Sequence, residues 1–157
     1  MHHNARRVQE ALEQAGATGR VRELGVPVPT AAAAAEAIGC EVGAIANSLV
    51  FLADDEPLLV LTSGAHRVDT SYLAERLGVG RIRRADVDTV RSATGQPVGG
   101  VAPLGHPAPL RTVVDAALAG FDEVWAAGGV PTAVFPTTHD ELVRVCDAPS
   151  LHVRPAA

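Results

Sequence analysis

Lysine is absent from this chain. All 13 basic residues are arginines, which removes Schiff-base chemistry, a lysine general base and the phosphate-gripping lysine of a P-loop from consideration. Aromatic residues are almost as scarce, at 3% of the sequence. The core must therefore be assembled from Val, Leu, Ile and Ala, and base-stacking platforms for single-stranded nucleic acid are not expected. Cys40 and Cys146 are the only cysteines, too few for a disulfide framework or a zinc site. No apolar run approaches the length of a membrane span, and no cationic stretch followed by an apolar one opens the chain. A soluble, cytoplasmic protein without a membrane partner is the expectation. The formal net charge of −5 argues against DNA and against broad nucleic-acid binding. There is no P-loop, no HExxH and no GxSxG elbow. His66, His106, His139 and His152 lack ligand spacing with any Cys or acidic residue, so neither a metal nor another cofactor is expected.

What remains is an ordinary globular balance, 47% hydrophobic and 20% charged over 157 residues, enough for one domain over residues 1–157 with a real core. Residues 1–3, with His2 and His3, and residues 155–157 read as frayed ends. Asn4 is placed to cap a first helix that Gly16 stops, with Val8 and Leu12 on its buried stripe. A short strand near 21–24 follows, then a helix capped by Thr30 and ended by Gly39. Residues 48–53 and 58–62 pattern as two strands of a hairpin with Asp54, Asp55, Glu56 and Pro57 as its turn. Asp69 and Asp86 cap two further helices, and 111–114, 124–127 and 132–135 read as strands. Thr138 and Glu141 have capping-box spacing at the start of a last helix, and 151–153 reads as a final strand. Irregular interleaving with an antiparallel hairpin predicts an α+β domain with a mixed sheet.

Chemistry can sit in four stretches. The segment GQPVGGVAPLGHPAP, residues 95–109, holds four glycines, four prolines and no charge. Gly99 and Gly100 leave main-chain amides unshielded, and Pro97, Pro103 and Pro107 stiffen the path. Such a loop can bind a carbonyl or carboxylate or stabilise an oxyanion; it can equally be a tight crossover that uses Gly and Pro for shape. In GAIANSLVF, residues 43–51, Asn47 and Ser48 stand at the mouth of an apolar strand, either satisfying a corner or rimming a pocket. In TSGAHRVDTS, residues 62–71, Arg67 suits a phosphate or a surface ion pair. Arg81, Arg83 and Arg84 form a solvated face or a local footprint for an RNA backbone.

Taken in order, GAIANSLVF, LLVLTSG, HRVDTSYLAERLG, TGQPVGGVAPLGHP, TVVDAAL, VWAAGG and THDELVRV span nearly the whole chain. This series resembles the YbaK and prolyl-tRNA-synthetase-associated editing domains, and GGVAPLGH is its most specific part. The resemblance implies a twisted mixed sheet, partly barrel-like, around a pocket for an aminoacyl group. It implies hydrolysis of mischarged aminoacyl-tRNA, such as a charged tRNA(Pro), in trans and with neither metal nor protein nucleophile. The partner would be aminoacyl-tRNA, held weakly and briefly and delivered by a synthetase or elongation factor. Asn47, Gly100 and Val101 fall at the reacting positions. Ser48, Thr62, Gly64, His66, Arg67, Gly99, Pro103, Gly105, His106 and Asp115 fall at substrate-binding ones. One position departs: editing members carry a lysine where this chain has Asn47. Either the substrate differs, or the charge is supplied by another arginine, Arg67 being the first choice, or the chain is a non-catalytic binder of a ligand or tRNA end.

Overall fold

The computed structural model describes residues 1–155. Its frame is the hairpin of β2 (Ile45–Ala53) and β3 (Glu56–Ser63). Asp54 and Asp55, with φ of 48° and 68°, make the two-residue turn, the left-handed pair that matches strand twist. Along both strands alternate side chains face opposite cores. Ala46, Val50, Leu59 and Leu61 join one cluster, Phe51, Ala53, Leu58 and Val60 another, as a period of two requires.

Around this hairpin an eight-stranded mixed sheet is laid in the order β1-β7-β6-β2-β3-β5-β8, with β4 beside β2. The outer strands are β1 (Arg22–Glu23), β5 (Arg111–Asp115), β6 (Val124–Ala127), β7 (Ala133–Thr137) and β8 (Ser150–Leu151). The sheet stays open, ending at β1 and β8; the mixed α+β architecture holds, but the edge strands do not pair to close a barrel.

Five helices pack on the sheet: α1 (His3–Gln14), α2 (Ala31–Ile38), α3 (Thr70–Leu77), α4 (Val87–Thr94) and α5 (His139–Val145). Thr30, Asp69, Asp86 and Thr138 each accept a bond from the backbone N–H three residues on. The box at Thr138 forms only by half, because Glu141 instead accepts from Thr137 Oγ1 at 2.7 Å and from Thr18 N–H at 3.2 Å. Among the described residues no helix is long and apolar enough to cross a membrane.

The first residues differ from expectation. His2, not Asn4, caps α1, and the Met1 amino group lies 3.8 Å from Glu23. Asn4 sits inside the helix, buried, its Nδ2 donating to Gly129 O at 3.3 Å. Pro155 is exposed, and residues 156 and 157 lie outside the described part.

One strand was not anticipated. Arg81 and its neighbours pattern as charged surface, yet Ile82–Arg84 form β4, antiparallel to Phe51–Ala53. The cause is long-range: the Asp54 carboxylate accepts from Gly80 N–H and Arg81 N–H at 2.9–3.1 Å, fastening this segment beside the hairpin turn. As a result β2 has a divided outer edge. Ile45 and Ala46 pair with β6, Phe51–Ala53 pair with β4, and Asn47, Ser48 and Leu49 between them, paired with β3 on the inner side, have no strand on this outer edge.

A candidate active site in the gap of the sheet

A cavity of about 360 Å³ occupies this gap. Strand β2 forms its floor through residues 45–50. Thr30, Ala31 and Ala34 of α2 and its cap form one wall, and Val87 and Val90 of α4 another. Trp125 and Val134 stand at the β6–β7 side, and Val98, Gly99 and Val101 bring in the glycine–proline loop. The lining is apolar except for a few groups. Asn47 and Ser48 are among them, on opposite faces of β2 by strand alternation. Arg84 is the one charged side chain. It has no acidic partner among the described residues, and its Cζ lies 5.7 Å from the Phe51 ring centre.

The loop reaches the cavity because its glycines allow close backbone approach. Gly99 has φ of +88°, and a Cβ there would lie 3.1 Å from Pro29 Cβ. A Cβ on Gly100 would fall 2.6 Å from the Val130 carbonyl carbon, so no side chain fits without moving the β6–β7 turn. The Gly100 N–H is not presented to a ligand: it donates to Pro97 O at 3.0 Å. The Ala102 N–H is also engaged, donating to Gln96 Oε1 at 2.7 Å. Among the described residues the N–H groups of Gly99 and Val101 have no such acceptor, and both residues line the cavity. Of the three loop residues expected at the site, Gly99, Gly100 and Val101, only Gly100 has its amide engaged within the protein. Gln96, buried at 3% exposure, fastens the loop. It was missed in the sequence, where its only signal is a lone amide side chain in an uncharged segment.

Of the residues read from sequence, Asn47, Ser48, Gly99, Val101 and Arg84 meet at this cavity; the others do not line it. Thr62 faces Asn47 across the hairpin, but its Oγ1 donates to Asp115 Oδ2 at 3.3 Å. Asp115 is fully buried and accepts from Ser63 N–H at 2.9 Å and Ala117 N–H at 3.0 Å. It ties β3 to β5 and the turn that follows. His66 Nδ1 lies 3.5 Å from the same carboxylate without a hydrogen-bond geometry. Gly64 is a packing glycine, since a Cβ would meet Val42 O at 2.4 Å. Arg67 is exposed and away from the lining; Arg84 stands where it was expected. Arg83 is drawn off to Asp55, at 3.2 Å, and Arg81 is exposed outside the lining.

Pro103, Gly105 and His106 border a second hollow of about 610 Å³ on the far side of the loop, with Cys146. His106 Nε2 is 2.8 Å from Ala102 O, and burial pushes its pKa down. Burial pushes the Cys146 thiol up to about 12, which leaves it unreactive at neutral pH. On the outer surface Ser150 Oγ, His139 and Asp140 form a Ser–His–Asp chain of 2.8 and 2.9 Å. The Asp140 side chain is 97% exposed, and none of the three borders either hollow, so the oriented acid and enclosed substrate position of a working triad are missing.

Comparison with known proteins places this geometry. Residues 26–145 match the model of the aminoacyl-tRNA editing domain; the chain belongs to that family. It is 31% identical over 83 residues to a proline–tRNA ligase of Citrifermentans bemidjiense, covering 53% of this chain and 14% of that enzyme's length. It is 29% identical over 123 residues to the uncharacterized protein YwhH of Bacillus subtilis, covering 78% of each. Among solved structures, a protein described as a candidate trans-editing enzyme for prolyl-tRNA synthetase superposes with a TM-score of 0.90 at 41% identity, over 99% of both chains.

Proposed function

We propose that this protein is a trans-acting aminoacyl-tRNA deacylase of the cytoplasm that hydrolyses the ester of a mischarged tRNA, with tRNA(Pro) the first choice. The carrying observation is the cavity itself: an apolar chamber of amino-acid size with two unengaged main-chain amides on one wall and a single unpaired cation at its edge. The family relation to proline–tRNA ligases and the near full-length likeness to a candidate trans-editing enzyme support the tRNA assignment.

The chemistry asks little of the protein, because an aminoacyl ester is already activated. Water adds to the ester carbonyl and gives a tetrahedral oxyanion. The C–O bond to the terminal ribose then breaks; the ribose oxygen takes one of the two protons brought by the water, the other passes to solvent, and the amino acid departs as a carboxylate. The N–H groups of Gly99 and Val101 are suited to hold the oxyanion. The apolar walls orient the acyl group and limit competing water. Asn47 can hold a carbonyl or the attacking water by a neutral hydrogen bond. Arg84 supplies charge for a phosphate of the acceptor end, a contact consistent with weak and brief RNA binding, with delivery by a synthetase or elongation factor.

The test is deacylation of Ala-, Ser- and Cys-tRNA(Pro) by the wild type and by Asn47→Lys, without added metal. Multiple turnover by the wild type is expected. Turnover by Asn47→Lys alone would mean that the native chain keeps the chamber and has given up the reaction; silence from both would leave a binding protein.

A further inference from the structure

Ser48, at the floor of the cavity, carries a side-chain oxygen that nothing in the protein satisfies. Ser48 Oγ is buried and has no hydrogen-bond partner. Alternation places it on the β2 face shared by Ala46 and Val50, opposite Asn47, and Ala46 shows that this face accepts a bare methyl group. A hydroxyl left unpaired in such surroundings costs stability, so serine is the unfavourable choice here unless a bound molecule completes it.

The main chain at the same residue is equally open. Ile45 O accepts from Gly64 N–H on the β3 side, whereas Val50 O accepts from Ala85 N–H on the other side. A period of two then turns the N–H and C=O of Ser48 the same way as those of Val50, toward the stretch that neither β6 nor β4 reaches in register. One residue thus offers a donor, an acceptor and a hydroxyl at the floor of a largely apolar chamber.

We infer that Ser48 determines acyl specificity, and that the favoured aminoacyl group carries a side-chain hydroxyl of serine size rather than the methyl of alanine. This rests on the deacylase reading of the same cavity. Rotation about χ1 moves Oγ among three staggered positions around one Cβ and brings it against the ligand. The Ser48 carbonyl accepts from the α-ammonium, and Ser48 Oγ exchanges a hydrogen bond with the substrate hydroxyl. An alanyl group fills the same space and leaves the hydroxyl unpaired, the kind of mismatch that separates polar from apolar isosteres.

The experiment compares kcat/KM for seryl and alanyl esters on one tRNA, for the wild type and Ser48→Ala, alongside thermal melting. The wild type is expected to favour the seryl ester at least tenfold. In Ser48→Ala that ratio should fall to near one while Tm rises, since an unpaired hydroxyl has been removed. A wild type that favours the alanyl ester, a ratio unmoved by the substitution, or a fall in Tm would each overturn the assignment. The wild-type ratio decides even if the variant fails to fold. Stable amide analogues of seryl- and alanyl-adenosine separate this from failure of the deacylase reading. Tighter seryl binding without turnover, lost in Ser48→Ala, keeps the specificity and discards the hydrolysis. Equal or absent binding discards the specificity.

Discussion

A histidine held against a main-chain carbonyl reports how the loop is fixed. His106 keeps its ring against Ala102 O, and burial, the dominant influence, lowers its pKa below the ordinary 6.5. The unfolded chain therefore binds a proton that the folded chain resists. The stability linked to His106 is complete above about pH 6.5 and is lost as the pH falls through the lowered folded value. Melting temperature should decline between pH 7.5 and 5.5, and His106→Gln should flatten that decline. An unchanged slope in the variant would assign the effect to other groups.

At the scale of elements, strand β4 sets the charge at the cavity. It carries Arg84 to the cavity edge while its neighbour Arg83 is spent on Asp55. Arg84→Ala is expected to raise KM for an aminoacyl-tRNA by about tenfold, the loss of one charge-assisted contact, and to change hydrolysis of a short aminoacyl ester lacking phosphate by less than twofold. Steady-state kinetics on both substrates would show it, and an equal loss on both would place Arg84 in the chemistry instead. The elements differ in how far the sequence disclosed them. Caps at Thr30, Asp69 and Asp86 were legible because each is a bond between residues three apart. Strand β4 was not, because its partners Phe51–Ala53 and its fastening by Asp54 lie about thirty positions away. The same distance explains why Arg67 looked better placed than Arg84. Asn47, Ser48, Gly99 and Val101 were legible through motif context, but the engagement of the Gly100 amide by Pro97 is a matter of turn geometry that residue types do not reveal.

For the whole molecule, α1 is the brace. The family model begins at residue 26, yet Val8, fully buried, packs where a Cβ on Gly105 or Gly129 would fall within 3.0–3.3 Å of its Cγ2. Asn4 adds a bond to Gly129 O. One helix thus bears on both the glycine–proline loop and the β6–β7 turn, the two segments that meet at Gly100. Val8→Ala should cost about 2 kcal/mol, read as a shift in urea midpoint. The rate of deacylation should fall with it below the midpoint, because the amides of Gly99 and Val101 lose their fixed position. A stability loss with full activity would separate the brace from the site.

The divided edge of β2 has a last consequence. An unpaired strand edge on the outside of a protein is an invitation to other chains, and natural sheets shorten, charge or cover such edges to avoid aggregation. Here the open stretch is only Asn47–Leu49, and it faces inward, roofed by α2, α4 and the loop. A neighbouring polypeptide cannot lie along it, whereas a single amino-acid unit can. The fold keeps an open sheet edge indoors, where its hydrogen-bonding capacity is out of reach of another chain.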